Sequence, residues 1–92
     1  MDDDGELDQL RAAMDVCNRR LLSVLQERAR LARVIGAWKR CHGLPAADPA
    51  REEAMLAAVL RAAPADGYPA GALQAIFAAV FTASRQVVER EE

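Results

Sequence analysis

Three cations stand on one face of a stretch that otherwise reads as an apolar seam. Leu7, Met14, Leu21 and Ile35 fall on one line at heptad spacing, and Leu10, Cys17, Val24, Leu31 and Trp38 on a second. Position 28 completes the first line, and it is Arg28. The adjoining line is Arg11, Asn18, Leu25, Ala32 and Lys39, and none of the three lines holds an Asp or Glu. Burying a charge is costly unless it is paired. Arg11, Arg28 and Lys39 therefore call for an anion, from another helix or from a ligand; the alternative is that they are ordinary solvated charges of a long helix. On a helix, Arg28 and Lys39 differ by only about 20° around the axis and stand roughly 16 Å apart along it, so long side chains from both can bracket one small molecule. Arg11 lies about 25 Å from Arg28, too far to touch the same ligand within one chain. The partner's copy of Arg11 could reach it in an antiparallel dimer.

Further candidates lie downstream. Asp48-Pro49-Ala50-Arg51-Glu52 has the form of a helix start, with Asp48 as cap and Pro49 in the first helical position. Glu52 suits the helix dipole, whereas Arg51 in the first turn is mildly unfavourable there and reads as a second anion clamp or an exposed residue. Ser84 interrupts an apolar stripe and Arg85 adjoins it; a hydroxyl bonded back to its own helix is the alternative for Ser84. His42 stands alone in a loop and reads as a surface residue, Cys17 as a small core residue, and Trp38 as packing at the end of the seam. The sequence offers no nucleophile–base–orienter set, no glycine-rich phosphate loop and no metal-ligand spacing. No cofactor and no metal are expected. A cage of cations binds a dianion, and it accelerates reactions that need only conformational restriction and charge stabilisation at a breaking bond.

The elements that must position these residues are helices. Leu7–Arg40 contains no Pro and one Gly, Gly36, and reads as one long helix. Gly43 and Pro45 end it. A second helix follows Asp48, with Met55, Leu56, Val59 and Leu60 as its stripe, until Pro64 and Asp66-Gly67. Pro69 opens a third, with Leu73, Ile76, Phe77, Val80, Phe81, Ser84 and Val88 along one face. The expected fold is all-α, one long and two shorter helices in a single domain over residues 1–92. The long helix would measure roughly 50 Å, in a chain whose compact form is about 30 Å across. An exposed seam of that length calls for a second copy, giving an intertwined homodimer; a monomeric bundle kinked at Gly36 is the alternative.

Bulk properties agree. Ninety-two residues make a marginal lone domain, and a net charge of −2 gives no attraction to nucleic acid or anionic membranes. No run of apolar residues reads as long enough to span a bilayer. The acidic start Met1-Asp2-Asp3-Asp4 is unlike a signal peptide, and two cysteines make no disulfide framework, so a cytoplasmic location with free thiols is expected.

Leu10-Arg11, Leu21-Leu22, Glu27-Arg28, Gly36 with Lys39, and Asp48 followed by Arg51-Glu52, in that order and spacing, resemble the all-helical chorismate mutases. The resemblance runs from about Leu7 to Glu89. It implies a one-step pericyclic rearrangement of chorismate to prephenate in two pockets of an intertwined three-helix dimer. It also implies roles. Arg28 and the partner's Arg11 hold one carboxylate of the dianion, and Arg51, with Ser84 near it, holds the other carboxylate end. Lys39 donates to the ether oxygen as its C–O bond breaks. Glu52 and the backbone near Asp48 meet the ring hydroxyl.

One departure bears on the chemistry. The family usually places Gln or Glu one turn after the Ser, where it shares the ether oxygen with the Lys; here the residue is Val88. A donor of that kind is worth about 3–4 kcal/mol in a dry site. Arg85 is close enough on the helix to stand in for part of it. Two rivals share the fold: a 4-amino-4-deoxychorismate mutase and an isochorismate pyruvate-lyase. A non-catalytic ligand-binding relative is favoured by Val88 and disfavoured by the intact cation set. A pathway enzyme that orders the loop at residues 41–47 would raise the activity of a chain lacking this donor.

Overall fold

The computed structural model describes residues 3–91. Its elements are α1 (Asp3–Cys41), α2 (Pro49–Ala62) and α3 (Ala70–Glu89), with no strand among the described residues. Helix α1 runs unbroken through Gly36 and begins four residues before the apolar periodicity does. Acidic residues such as Asp4 and Glu6 favour a helix N-terminus without contributing to a seam. At about 1.5 Å per residue its 39 residues span about 58 Å, most of the molecule's 65 Å length.

The end of α1 is a glycine-terminated turn. Gly43 adopts φ 66°, Leu44 N–H donates to the Lys39 carbonyl at 2.9 Å, and Gly43 N–H donates to the Arg40 carbonyl at 3.3 Å. This pair of bonds satisfies carbonyls that the helix end would otherwise leave open. Helix α2 starts as its sequence demands: the Asp48 carboxylate accepts from Arg51 N–H at 3.1 Å and Pro49 opens the first turn. Helix α3 starts one residue later than expected, with Pro69 as the flanking residue in an extended conformation rather than inside the first turn.

Helix α3 is the centre of the chain, packed against both α1 and α2. Phe81 is its one buried large side chain. Gly36 is also buried, where α3 comes so close that a Cβ at this position would lie 2.8 Å from Cγ1 of Val88. The seam of α1 is left bare: Leu10 is 64% and Val24 59% exposed, and Met14, Leu21, Leu31, Ile35 and Trp38 are similar. Cys17, expected in a core, is likewise exposed. The radius of gyration is 17.5 Å, against about 12 Å for a compact chain of this length.

The expectation of no membrane-length apolar run needs correcting for α3, which is long and apolar enough by length and composition. Its apolarity comes from alanines and from the face it packs against α1 and α2, and it carries Ser84, Arg85 and Gln86 near its C-terminal end.

Candidate active site

A cleft of about 620 Å³ lies between the C-terminal half of α1, the first turns of α2 and the C-terminal half of α3. That volume suits a small organic ligand. Arg28, Lys39, Asp48, Arg51, Glu52, Ser84, Arg85 and Val88 all line it. Each helix contributes for a reason already in its sequence. Arg28 and Lys39 share a face of α1, the Asp48 cap sets the first turn that presents Arg51 and Glu52, and Ser84 and Val88 lie one turn apart on α3.

Arg28 is the centre of the cleft's contacts. Its guanidinium donates to Oγ of Ser84 at 2.6 Å and approaches Sδ of Met55 at 3.8 Å. It also stands over the Phe81 ring, 5.3 Å from the centroid. One residue of α1 thus touches α2 and α3 together. Ser84 does not bond back to its own helix; its hydroxyl receives Arg28, which gives the polar break in the α3 stripe a partner on α1.

Lys39 donates to the Ala46 carbonyl at 3.4 Å across the loop that follows α1. Glu52 and Arg85 form an ion pair between α2 and α3. Arg85 donates a second hydrogen bond to Oγ1 of Thr82 at 3.0 Å, and Thr82 donates to the Ala78 carbonyl at 3.0 Å. Val88 faces both the cleft and Gly36.

Arg11 is not in the cleft. It is largely exposed on the far half of α1, 3.7 Å from Asp8, a residue one turn away and outside the three lines of the seam. An exposed pair of this kind is worth little, so it does not tie the guanidinium down. His42 is exposed, as expected of a surface residue, and it has a neighbour on α1. It stacks on Trp38 at 3.8 Å with 17° between the planes, and its Nδ1 lies 2.8 Å from the Trp38 carbonyl. Trp38 therefore contacts the turn as well as ending the seam.

Sequence reasoning passed over Met55 as a site residue, Thr82 and Glu89. Glu89 lines the cleft. Thr82 was findable, since it stands three residues before Arg85 on the same helix face. Met55 was not, because its sulfur reaches Arg28 only through the packing of α2.

Four cations and three carboxylates line the cleft. Asp48 is engaged as the cap and Glu52 is paired with Arg85. Arg28, Lys39 and Arg51 remain to meet an incoming anion. The model of the family described as chorismate mutase type II matches residues 10–89, and the chain belongs to that family. Two solved structures of chorismate mutase from Thermus thermophilus are similar. Form II is 37% identical, with a TM-score of 0.89, over 95% of this chain and 98% of that one. Form I is 38% identical, with a TM-score of 0.82, over 86% and 98%. No curated protein sequence matches the chain.

Proposed function

We infer that the chain works as a homodimer with two clefts, each completed by Arg11 of the other copy. Family membership gives the reaction, the isomerisation of chorismate to prephenate. The observation that carries the dimer is the bare apolar seam of α1 with Arg11 at one end and Arg28 toward the other. Two such helices packed antiparallel cover each other's seam. They also bring each Arg11 about 25 Å along the rod, to the height of the opposite Arg28.

In the complete cleft, Arg28 and the partner's Arg11 clamp one carboxylate, with Ser84 at hand as the hydroxyl already bonded to Arg28. Arg51, at the N-terminus of α2, meets the other carboxylate end. This fixes the substrate in the folded conformation that brings the bond-forming carbons together, which removes much of the entropic barrier. Lys39 leaves the Ala46 carbonyl and donates to the ether oxygen as negative charge grows there. Glu52 accepts from the ring hydroxyl. No group of the protein becomes covalently attached and no proton need be transferred. The free thiols Cys17 and Cys41 are in keeping with a reducing, cytosolic setting.

The test is complementation. Arg11→Ala and Lys39→Ala are each expected to be inactive in converting chorismate to prephenate. Mixed and re-annealed, they form heterodimers with one intact site, restoring about a quarter of wild-type activity by random pairing of a twofold dimer. No recovery on mixing, with re-annealing verified, would refute the shared site.

A further inference from the structure

Arg85 lines the cleft, yet its terminal nitrogens are taken by Glu52 and by Thr82. A half-exposed ion pair adds little stability, so stability does not account for a guanidinium anchored on both sides. Its effect is on charge. Glu52 Oε2 is held by Arg85, while Oε1 has no protein partner among the described residues. The carboxylate therefore offers the cleft an acceptor whose negative charge is already compensated.

We propose that Arg85 is a positioning residue acting through Glu52, and that the pair makes the cleft select a neutral hydroxyl over an ammonium at the ring substituent Glu52 meets. This rests on the assignment of Glu52 to that substituent in the proposed function. An uncompensated carboxylate would attract an ammonium and repel a dianion's ring end. With Arg85 beside it, an ammonium gains little from Glu52 and is repelled by the guanidinium, whereas a hydroxyl still donates to Oε1. Two of the five N–H groups of Arg85 are engaged in this way; the sequence alone offered the residue as a stand-in for the donor missing at Val88.

The experiment compares chorismate with 4-amino-4-deoxychorismate, which carries an amine in place of the hydroxyl and is protonated at neutral pH. Binding is measured by calorimetry and turnover by product mass, on wild type, Arg85→Ala, Arg85→Lys, Glu52→Gln and the Glu52→Gln/Arg85→Ala double variant. Wild type is expected to prefer chorismate. Arg85→Ala should move the preference toward the amine at least tenfold, mainly through KM, with melting temperature little changed. Arg85→Lys should keep the wild-type preference. In the Glu52→Gln background, Arg85→Ala should not move the ratio further, because there is no carboxylate left to compensate. An unchanged ratio in Arg85→Ala overturns the proposal, as does an equal loss for both ligands or a full effect in the Glu52→Gln background. If wild type binds both but converts neither, the proposed activity fails while the binding ratio still decides the role of Arg85.

Discussion

Arg28 of α1 donates to Ser84 of α3 at 2.6 Å, joining residues 56 positions apart. The bond sits beside the Phe81 ring and the Met55 sulfur, so a charged group is held against an apolar wall with one hydroxyl and one weakly accepting thioether as its protein partners. A residue placed this way is poor for stability and good for capturing an anion. The contact with Phe81 returns about 0.5–2 kcal/mol, set against the cost of partly desolvating the guanidinium.

Arg28→Leu is therefore expected to separate stability from function. Leucine completes the heptad line and packs against Phe81 and Met55, leaving Ser84 free to bond back to its helix. Stability should be unchanged or raised by about 1 kcal/mol. Prephenate formation should fall at least a thousandfold, since the proposed carboxylate clamp would be lost from the transition state as well as from the bound substrate. Thermal melts and steady-state kinetics on the same preparation check both halves. A stable variant that keeps activity would remove Arg28 from the site.

Val88 gives a gain-of-function prediction. Valine cannot donate, so in the proposed cleft Lys39 is the one donor assigned to the ether oxygen. In Val88→Gln an unbranched side chain carries an amide toward the cleft that Val88 lines. A well-placed donor in such a site is worth about 3–4 kcal/mol. Part of that is forfeited because Gln loses rotamer freedom and the valine methyls no longer pack on Gly36. An increase in kcat of at least tenfold is expected, with KM little changed, in a direct assay of chorismate loss. An unchanged or lower kcat would mean that position 88 does not reach the reacting oxygen.

Much of this was legible in the sequence, and what was not has common causes. The heptad lines marked α1, and Asp48-Pro49 marked the start of α2, because periodicity and capping are local properties. Arg28 stood out as a charge on an apolar line, and its pairing with Ser84 follows once α3 packs against α1. The Glu52–Arg85 pair was hidden because it depends on the relative rotation of α2 and α3, which no single-helix pattern encodes. The Trp38–His42 stack was hidden for a different reason. The glycine turn suggests a helix that stops short of His42, whereas His42 N–H still donates to the Trp38 carbonyl at 3.1 Å, which puts the two rings at i, i+4 on one face. The start of α1 extended past its apolar seam because a helix needs hydrogen bonds and a favourable dipole, while a seam needs a partner.

Gly36 carries the last prediction. Glycine inside a helix is normally a weakness, and alanine there should add about 0.5–1 kcal/mol of helix stability. At this position the new methyl would stand 2.8 Å from Cγ1 and 3.3 Å from Cγ2 of Val88. The obstacle is a β-branched side chain with a restricted χ1, so it cannot swing away as a long flexible chain would. Overpacking of this kind costs about 1–3 kcal/mol, which outweighs the propensity gain. Gly36→Ala should therefore lose about 1 kcal/mol net in chemical denaturation and, because α1 and α3 both line the cleft, some activity with it. Val88→Ala removes the obstacle and opens a small gap of its own. In that background Gly36→Ala should be neutral or stabilising, since its methyl fills the gap and its helix propensity is then unopposed. If Gly36→Ala stabilises the wild-type chain outright, α1 and α3 are not held as close as the Gly36–Val88 contact requires.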